Sequence, residues 1–173
     1  MVILIAGATH TGKTMLAQKL LEKYHYPYLS IDHLKMGLIR SGNTQLTPAD
    51  DDALTDYLWP IVQEIIKTVI ENGQNLIVEG CYIPFAWKNG FEESYLCHMR
   101  ALWLIMSKKY IETNFDLITA HANDIESRLE NSGYTALSLI QENLSNLENC
   151  EKYGCDYILI DDKYEIGEIS WLM

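Results

Sequence analysis

Arginine is scarce in this chain: Arg40, Arg100 and Arg128 are its only occurrences in 173 residues. Lysine does not make up the deficit, because Lys and Arg total 13 against 24 acids and the net charge is −11. A field of that sign repels nucleic acid and anionic membrane, so neither is an expected partner. Long apolar runs are missing too. Nothing reaches the length of about 18 apolar residues that a membrane span requires. The opening "VILIA" lacks a basic segment before it and a small-residue cleavage site after it. It does not read as a secretory signal, and a cytoplasmic location is the expectation. Cysteine is present but unpatterned: Cys81, Cys97, Cys150 and Cys155 form no CxxC pair and no zinc-spaced cluster with histidine. Reduced thiols acting as small apolar fillers are expected, with no structural metal. Repeats and low-complexity segments are also lacking, and the length suits one domain spanning 1–173.

What the chain does have is "GATHTGKT" at residues 7–14. Before it, Val2 to Ala6 is a continuous apolar run that reads as a strand buried on both faces. After it, Met15, Leu16, Leu20 and Leu21 mark one side of a helix from Lys13 to about Tyr24. A loop that leaves a buried strand and opens a helix is the setting in which this pattern cradles phosphate. Gly7 and Gly12 allow backbone conformations that a side chain would forbid. The amides of residues 10–14, including those of His10 and Thr11, can then converge on phosphate oxygens at the helix's positive end. Lys13 supplies a point charge to the β and γ phosphates, and the Thr14 hydroxyl can ligate Mg²⁺. The His10 side chain occupies a position the pattern leaves free and is not expected to be catalytic.

Further strands are expected over 26–31, 75–80, 101–106 and 157–161, with helices between them. A helix is expected to begin with Thr47 as its cap and Pro48 in its first position, to bear Asp50, Asp51 and Asp52 as a solvated start, and to end at Gly73. Pro60 should kink or split it. Strands alternating with helices imply a mostly parallel sheet covered on both faces, with ligands beyond the strands' C-terminal ends. Asp32 ends the second strand and Glu79 the third. A carboxylate there can hold Mg²⁺ through water or take a proton from an attacking hydroxyl. Asp32 can equally cap the following helix, and Glu79 can be a buried acid tied to local backbone.

"GATHTGKT", "SIDHLKMGLIR" (30–40) and "LIVEG" (76–80) together resemble the small P-loop kinases, a group that includes adenylate, shikimate and gluconate kinases, chloramphenicol phosphotransferase and zeta-toxin-like proteins. The segment "IDHLKMGLIRS" is similar to 2-phosphoglycerate-kinase-like and adenylate-kinase-like sequences. The resemblance implies an α/β three-layer P-loop kinase fold with a parallel five-stranded sheet in order 2-3-1-4-5. It also implies an acceptor-binding insert at about 33–74 and a lid-like segment at about 108–134. By that likeness Asp32 faces the acceptor hydroxyl, Glu79 supports Mg²⁺ or the acceptor, Arg40 falls near an acceptor-holding arginine, and Arg128 falls where a lid arginine closes over the transferring phosphate. The departures from adenylate kinase matter. That enzyme clamps two anionic nucleotides with several arginines, whereas "CYIPFAW" here follows the third strand without one. Arg40, with Lys35 or Lys88, can hold at most a modestly anionic acceptor. Tyr82, Phe85 and Trp87 are candidates to line the acceptor cleft.

The expected activity is therefore ATP-dependent phosphoryl transfer to a hydroxyl of a small molecule, with ATP and Mg²⁺ as cofactors and the oligomeric state open. A P-loop switch or NTPase, and a toxin-like phosphotransferase acting on a sugar nucleotide, are the alternatives. The absence of a second GTP-reading motif such as NKxD counts against a GTPase switch.

Overall fold

The computed structural model describes residues 1–120, 135–166 and 169. In chain order the elements are β1 (Val2–Gly7), α1 (Lys13–Tyr24), β2 (Tyr28–Ser30), α2 (Ile31–Arg40), α3 (Asp51–Glu71), β3 (Leu76–Glu79), α4 (Glu93–Leu96), β4 (Met99–Met106), α5 (Lys108–Ala120), α6 (Ala136–Tyr153) and β5 (Tyr157–Ile160). The five strands form one sheet in the order β2-β3-β1-β4-β5. All four pairings are parallel.

Side chains alternate across a strand, and that explains why the strands read as unbroken apolar runs. Val2, Leu4 and Ala6 join a core with Leu54, Leu58, Val62 and Ile66 of α3. Ile3 and Ile5 face the other way and pack with Leu16, Ala17 and Leu20 of α1. A third cluster joins Met106 and Ile160 to Tyr110, Ile111 and Ile118 of α5 and to Leu139 and Ile140 of α6. Three layers result, and no helix among the described residues is long and apolar enough to cross a membrane.

Three local expectations change. Asp32 stands in the first turn of α2, which starts at Ile31, rather than at the end of β2 or at the helix cap, because β2 stops at Ser30. The helix of the acid run starts at Asp51 rather than Pro48. Pro48 and Ala49 form a turn instead, because the Thr47 amide and hydroxyl both donate to Asp50 Oδ2 at 2.7 Å. Those bonds hold the Asp50 carboxyl below its ordinary range. The helix also runs through Pro60 as one element of 21 residues. Pro60 and Asp56, whose carbonyl loses its intrahelical donor, are both exposed. Water can serve that carbonyl, so the helix does not have to break.

Strand register sets the height of the functional groups. Ser30 pairs with Glu79, and Glu79 with Ile5, two residues before Gly7. The ends of β2, β3 and β1 therefore stand level beside one another, at the edge where the phosphate-loop pattern begins.

Candidate functional site

The loop from Gly7 to Lys13 is built around left-handed backbone. His10 lies at φ +61° and Gly12 at φ +82°. Residues of this kind curl successive N–H groups toward one concavity. At Gly12 a second constraint applies: an added Cβ would fall inside the radius of Tyr164 Oη. That hydroxyl donates to the Thr11 carbonyl at 3.0 Å. Gly12 precedes α1 and no side chain caps the helix. The first-turn amides are thus left without a side-chain partner, an arrangement that suits an anion.

Lys13 is buried, and its ammonium donates to the Ala8 carbonyl at 2.7 Å. The Thr11 hydroxyl donates to the same carbonyl at 2.8 Å. Burial alone would lower the Lys13 pKa, but Cys81, Glu79 and Asp32 outweigh it and raise the pKa above the ordinary lysine value. Cys81 itself is pushed up by burial more than Lys13 pulls it down. The Cys81 residue is nonetheless exposed to solvent. Lys13, Asp32, Glu79 and Cys81 together bound a cleft beyond the ends of β1 and β3.

A chain of hydrogen bonds forms one wall of that cleft. Lys35 donates to Asp32 Oδ1 at 2.6 Å and to Tyr82 Oη at 3.0 Å. Tyr82 Oη donates in turn to Asp51 Oδ1 at 2.9 Å. Burial, and then the bond to Asp51, push the Tyr82 phenol well above its ordinary value, so it stays protonated. On the far side stands Glu142 of α6, whose Oε1 accepts the Thr9 amide of the phosphate loop at 3.2 Å. Burial raises the Glu142 pKa despite that bond and the nearby Lys13. The helix is held in place by Asn143, which accepts the Met106 amide at 2.7 Å and donates to the Leu139 carbonyl at 2.9 Å. Ser30, 2% exposed, has a buried hydroxyl with no hydrogen-bond partner among the described residues. By register it lies on the same sheet face as Glu79.

The structure therefore brings together Lys13, Asp32, Glu79, Lys35 and Tyr82 around the loop residues Gly7, His10, Thr11, Gly12 and Thr14. It does not bring in three other candidates. Phe85 stacks on Trp103 and Tyr153, with ring centroids 5.7 and 6.2 Å away. Trp87 is 6% exposed and lines a separate cavity of about 340 Å³ with Lys88, Met99, Arg100, Cys155 and Asp156. That cavity lies at the start of β4, the opposite end from the phosphate loop. Both rings are core and rear-cavity residues rather than lining of the cleft. The cause is topological, since the segment after β3 must descend to the start of the parallel β4. Arg40 is exposed at the last turn of α2, about 12 Å along the helix from Asp32 at 1.5 Å per residue. Arg128, with the later part of the 108–134 segment, lies outside the described residues.

Sequence reasoning missed four participants. Cys81 was read as filler and Asp51 as a solvated helix start. Glu142 and Tyr164 gave no signal at all, because they meet the loop across 133 and 153 residues.

No family model matches the chain, and no curated protein matches it in sequence. Solved structures do match in fold. A shikimate kinase from Bacteroides thetaiotaomicron is 14% identical with a TM-score of 0.57, over 99% of this chain and 91% of that one. A deoxyadenosine kinase from M. mycoides is 14% identical with a TM-score of 0.54, over 96% and 92%. A gluconokinase from Sinorhizobium meliloti is 15% identical with a TM-score of 0.51, over 99% and 86%. At these identities the likeness is one of fold.

Proposed function

Starting from a fold shared with the small P-loop kinases, we propose that the chain is an ATP-dependent kinase that phosphorylates a hydroxyl of a small soluble molecule. The observation that carries this reading is the placement of Lys13 in one cleft with Asp32 and Glu79.

The roles follow from the geometry. Lys13 and the loop amides hold and neutralise the triphosphate. Lys13 leaves the Ala8 carbonyl to do so, with no change of charge, since its raised pKa keeps it protonated. Asp32 receives the proton of the acceptor hydroxyl. The hydroxyl oxygen forms its bond to the γ phosphorus as the bond from that phosphorus to the β-bridging oxygen breaks, and ADP leaves with the electron pair. The products are ADP, a phosphate monoester and one proton.

The residues present also fit Mg²⁺. No group of three or more His, Cys, Asp or Glu among the described residues makes a self-sufficient cage. Thr14 and Glu79 supply a hydroxyl and a carboxylate, the hard oxygen donors Mg²⁺ takes alongside phosphate and water. When bound, the ion would neutralise charge on the phosphate oxygens.

The test is transfer of label from γ-³²P-ATP into a pool of hydroxylated metabolites, with MgATP binding followed by calorimetry. Asp32→Asn should lose at least about 100-fold in transfer while still binding MgATP. An Asp32→Asn enzyme with full transfer activity would refute the assignment, and nucleotide hydrolysis indifferent to every added acceptor would favour a switch.

A further inference from the structure

Resting on that kinase reading, we propose that the acceptor is an alcohol bearing a protonated amine, such as an amino sugar or amino alcohol, rather than a carboxylic acid or phosphate ester.

Lys35 is the cation best placed to hold an anionic acceptor, and it is already engaged. Its ammonium is bound to Asp32 and Tyr82 and lies 4.9 Å from the Tyr82 ring centroid. Its side chain is only 12% exposed. Tyr82 is engaged as well, since its hydroxyl accepts from Lys35 and donates to Asp51. The Tyr82 hydrogen and two of the three Lys35 ammonium hydrogens are committed to this chain, which leaves a single Lys35 hydrogen for an anion. Among the other described cations, Arg40 is exposed at the far end of α2, Lys88 and Arg100 line the rear cavity, and at the start of α5 Lys108 pairs with Glu112 and Lys109 with Asp161 and Asp162.

Charge points the same way. Around the loop the described residues place Asp32, Asp51, Glu79 and Glu142 against Lys13 and Lys35. Lys13 is committed to the triphosphate, which remains an anion even with one divalent cation. An anionic acceptor would enter an already negative cleft, and like charge at close quarters is strongly unfavourable.

The open acceptors match an ammonium. Asp51 uses Oδ1 for Tyr82 and Asp32 uses Oδ1 for Lys35. The second oxygen of each carboxylate makes no hydrogen bond among the described residues. An ammonium has three donors and no acceptor, so Asp51 Oδ2 can bind it while Asp32 Oδ2 takes the reacting hydroxyl. Hydrogen bonds of 2.6, 3.0 and 2.9 Å in series link the two carboxylates, so amine and hydroxyl would sit on one small molecule.

The experiment uses the full chain with MgATP and two charge-matched series: glucosamine, glucose and gluconate, then serinol, glycerol and glycerate. ADP release above the acceptor-free rate gives kcat/KM for each. The cationic member should lead its series by roughly ten- to hundred-fold, the worth of a hydrogen bond to a charged group. Asp51→Asn should narrow the cation-to-neutral ratio by a similar factor. Asp51 is exposed in the first turn of α3, and circular dichroism checks that the variant stays folded. A neutral or anionic member that leads, cationic members left at the acceptor-free rate, or a ratio unchanged by Asp51→Asn overturns the inference. The kinase reading survives those results as long as some hydroxyl is phosphorylated, whereas failure to bind MgATP removes both.

Discussion

Gly12→Ala tests the contact between the phosphate loop and the residue that covers it. The substitution has two separable costs. The first is backbone: at φ +82° an alanine sits in left-handed space, which costs about 1–2 kcal/mol. The second is steric. The new Cβ meets Tyr164 Oη, so the ring must swing away and give up its 3.0 Å bond to the Thr11 carbonyl. That loss is about 1 kcal/mol. The single variant should therefore lose about 2–3 kcal/mol of stability. Only the first cost should persist where Tyr164 is already alanine. Urea unfolding of wild type, Gly12→Ala, Tyr164→Ala and the double variant closes the cycle, with tryptophan fluorescence as the probe. The expected coupling is about 1 kcal/mol, and the entropy that Gly→Ala removes from the unfolded chain cancels between backgrounds. Equal costs in both backgrounds would show that Tyr164 does not lie against Gly12 in solution.

Three further outcomes are expected. Lys13→Met should abolish MgATP binding by calorimetry, because the loop loses the ammonium that meets the β and γ phosphates. For Glu142, burial raises the folded pKa above the unfolded value. Its contribution to stability is therefore present at low pH and is lost as pH rises from the unfolded value through the folded one. The ionised form also repels phosphate, so MgATP affinity should rise as pH falls through that same range. Glu142→Gln should bind more tightly at pH 7 and flatten the profile, and an unchanged profile would dismiss the residue. Alkylation of Cys81, beside Lys13, should block MgATP binding and be slowed by MgATP. Its rate should increase above neutral pH because the thiol is pushed up, and Cys81→Ser should be immune.

The sheet was legible because its logic is local. Alternating faces of Val2–Ala6, an apolar pentad into a glycine loop and acids at 32 and 79 each announce an element or its end within a few residues. Level strand ends then follow from parallel pairing. The aromatic segment after β3 misled because composition gives identity without direction. Tyr82 stays near the loop, whereas Phe85 and Trp87 are carried toward the start of β4 by the crossover. Pro60 leaves α3 as one element rather than two, because the carbonyl it frees is exposed and water can serve it. Asp51 was hidden because the same first-turn acid that suits a helix dipole also suits a tyrosine hydroxyl.

Tyr164 has a consequence for the order in which the molecule can assemble. The phosphate loop is made early in the chain, yet the carbonyl of Thr11 waits for a donor 153 residues later. β1 is likewise the middle strand, flanked by β3 and β4, whose residues follow it by some seventy to a hundred positions. Helices α1 to α3 can form from local signals, but the loop they frame closes only when its distant partners dock. Contacts of such separation slow folding. Refolding followed by nucleotide binding should therefore lag refolding followed by helix content.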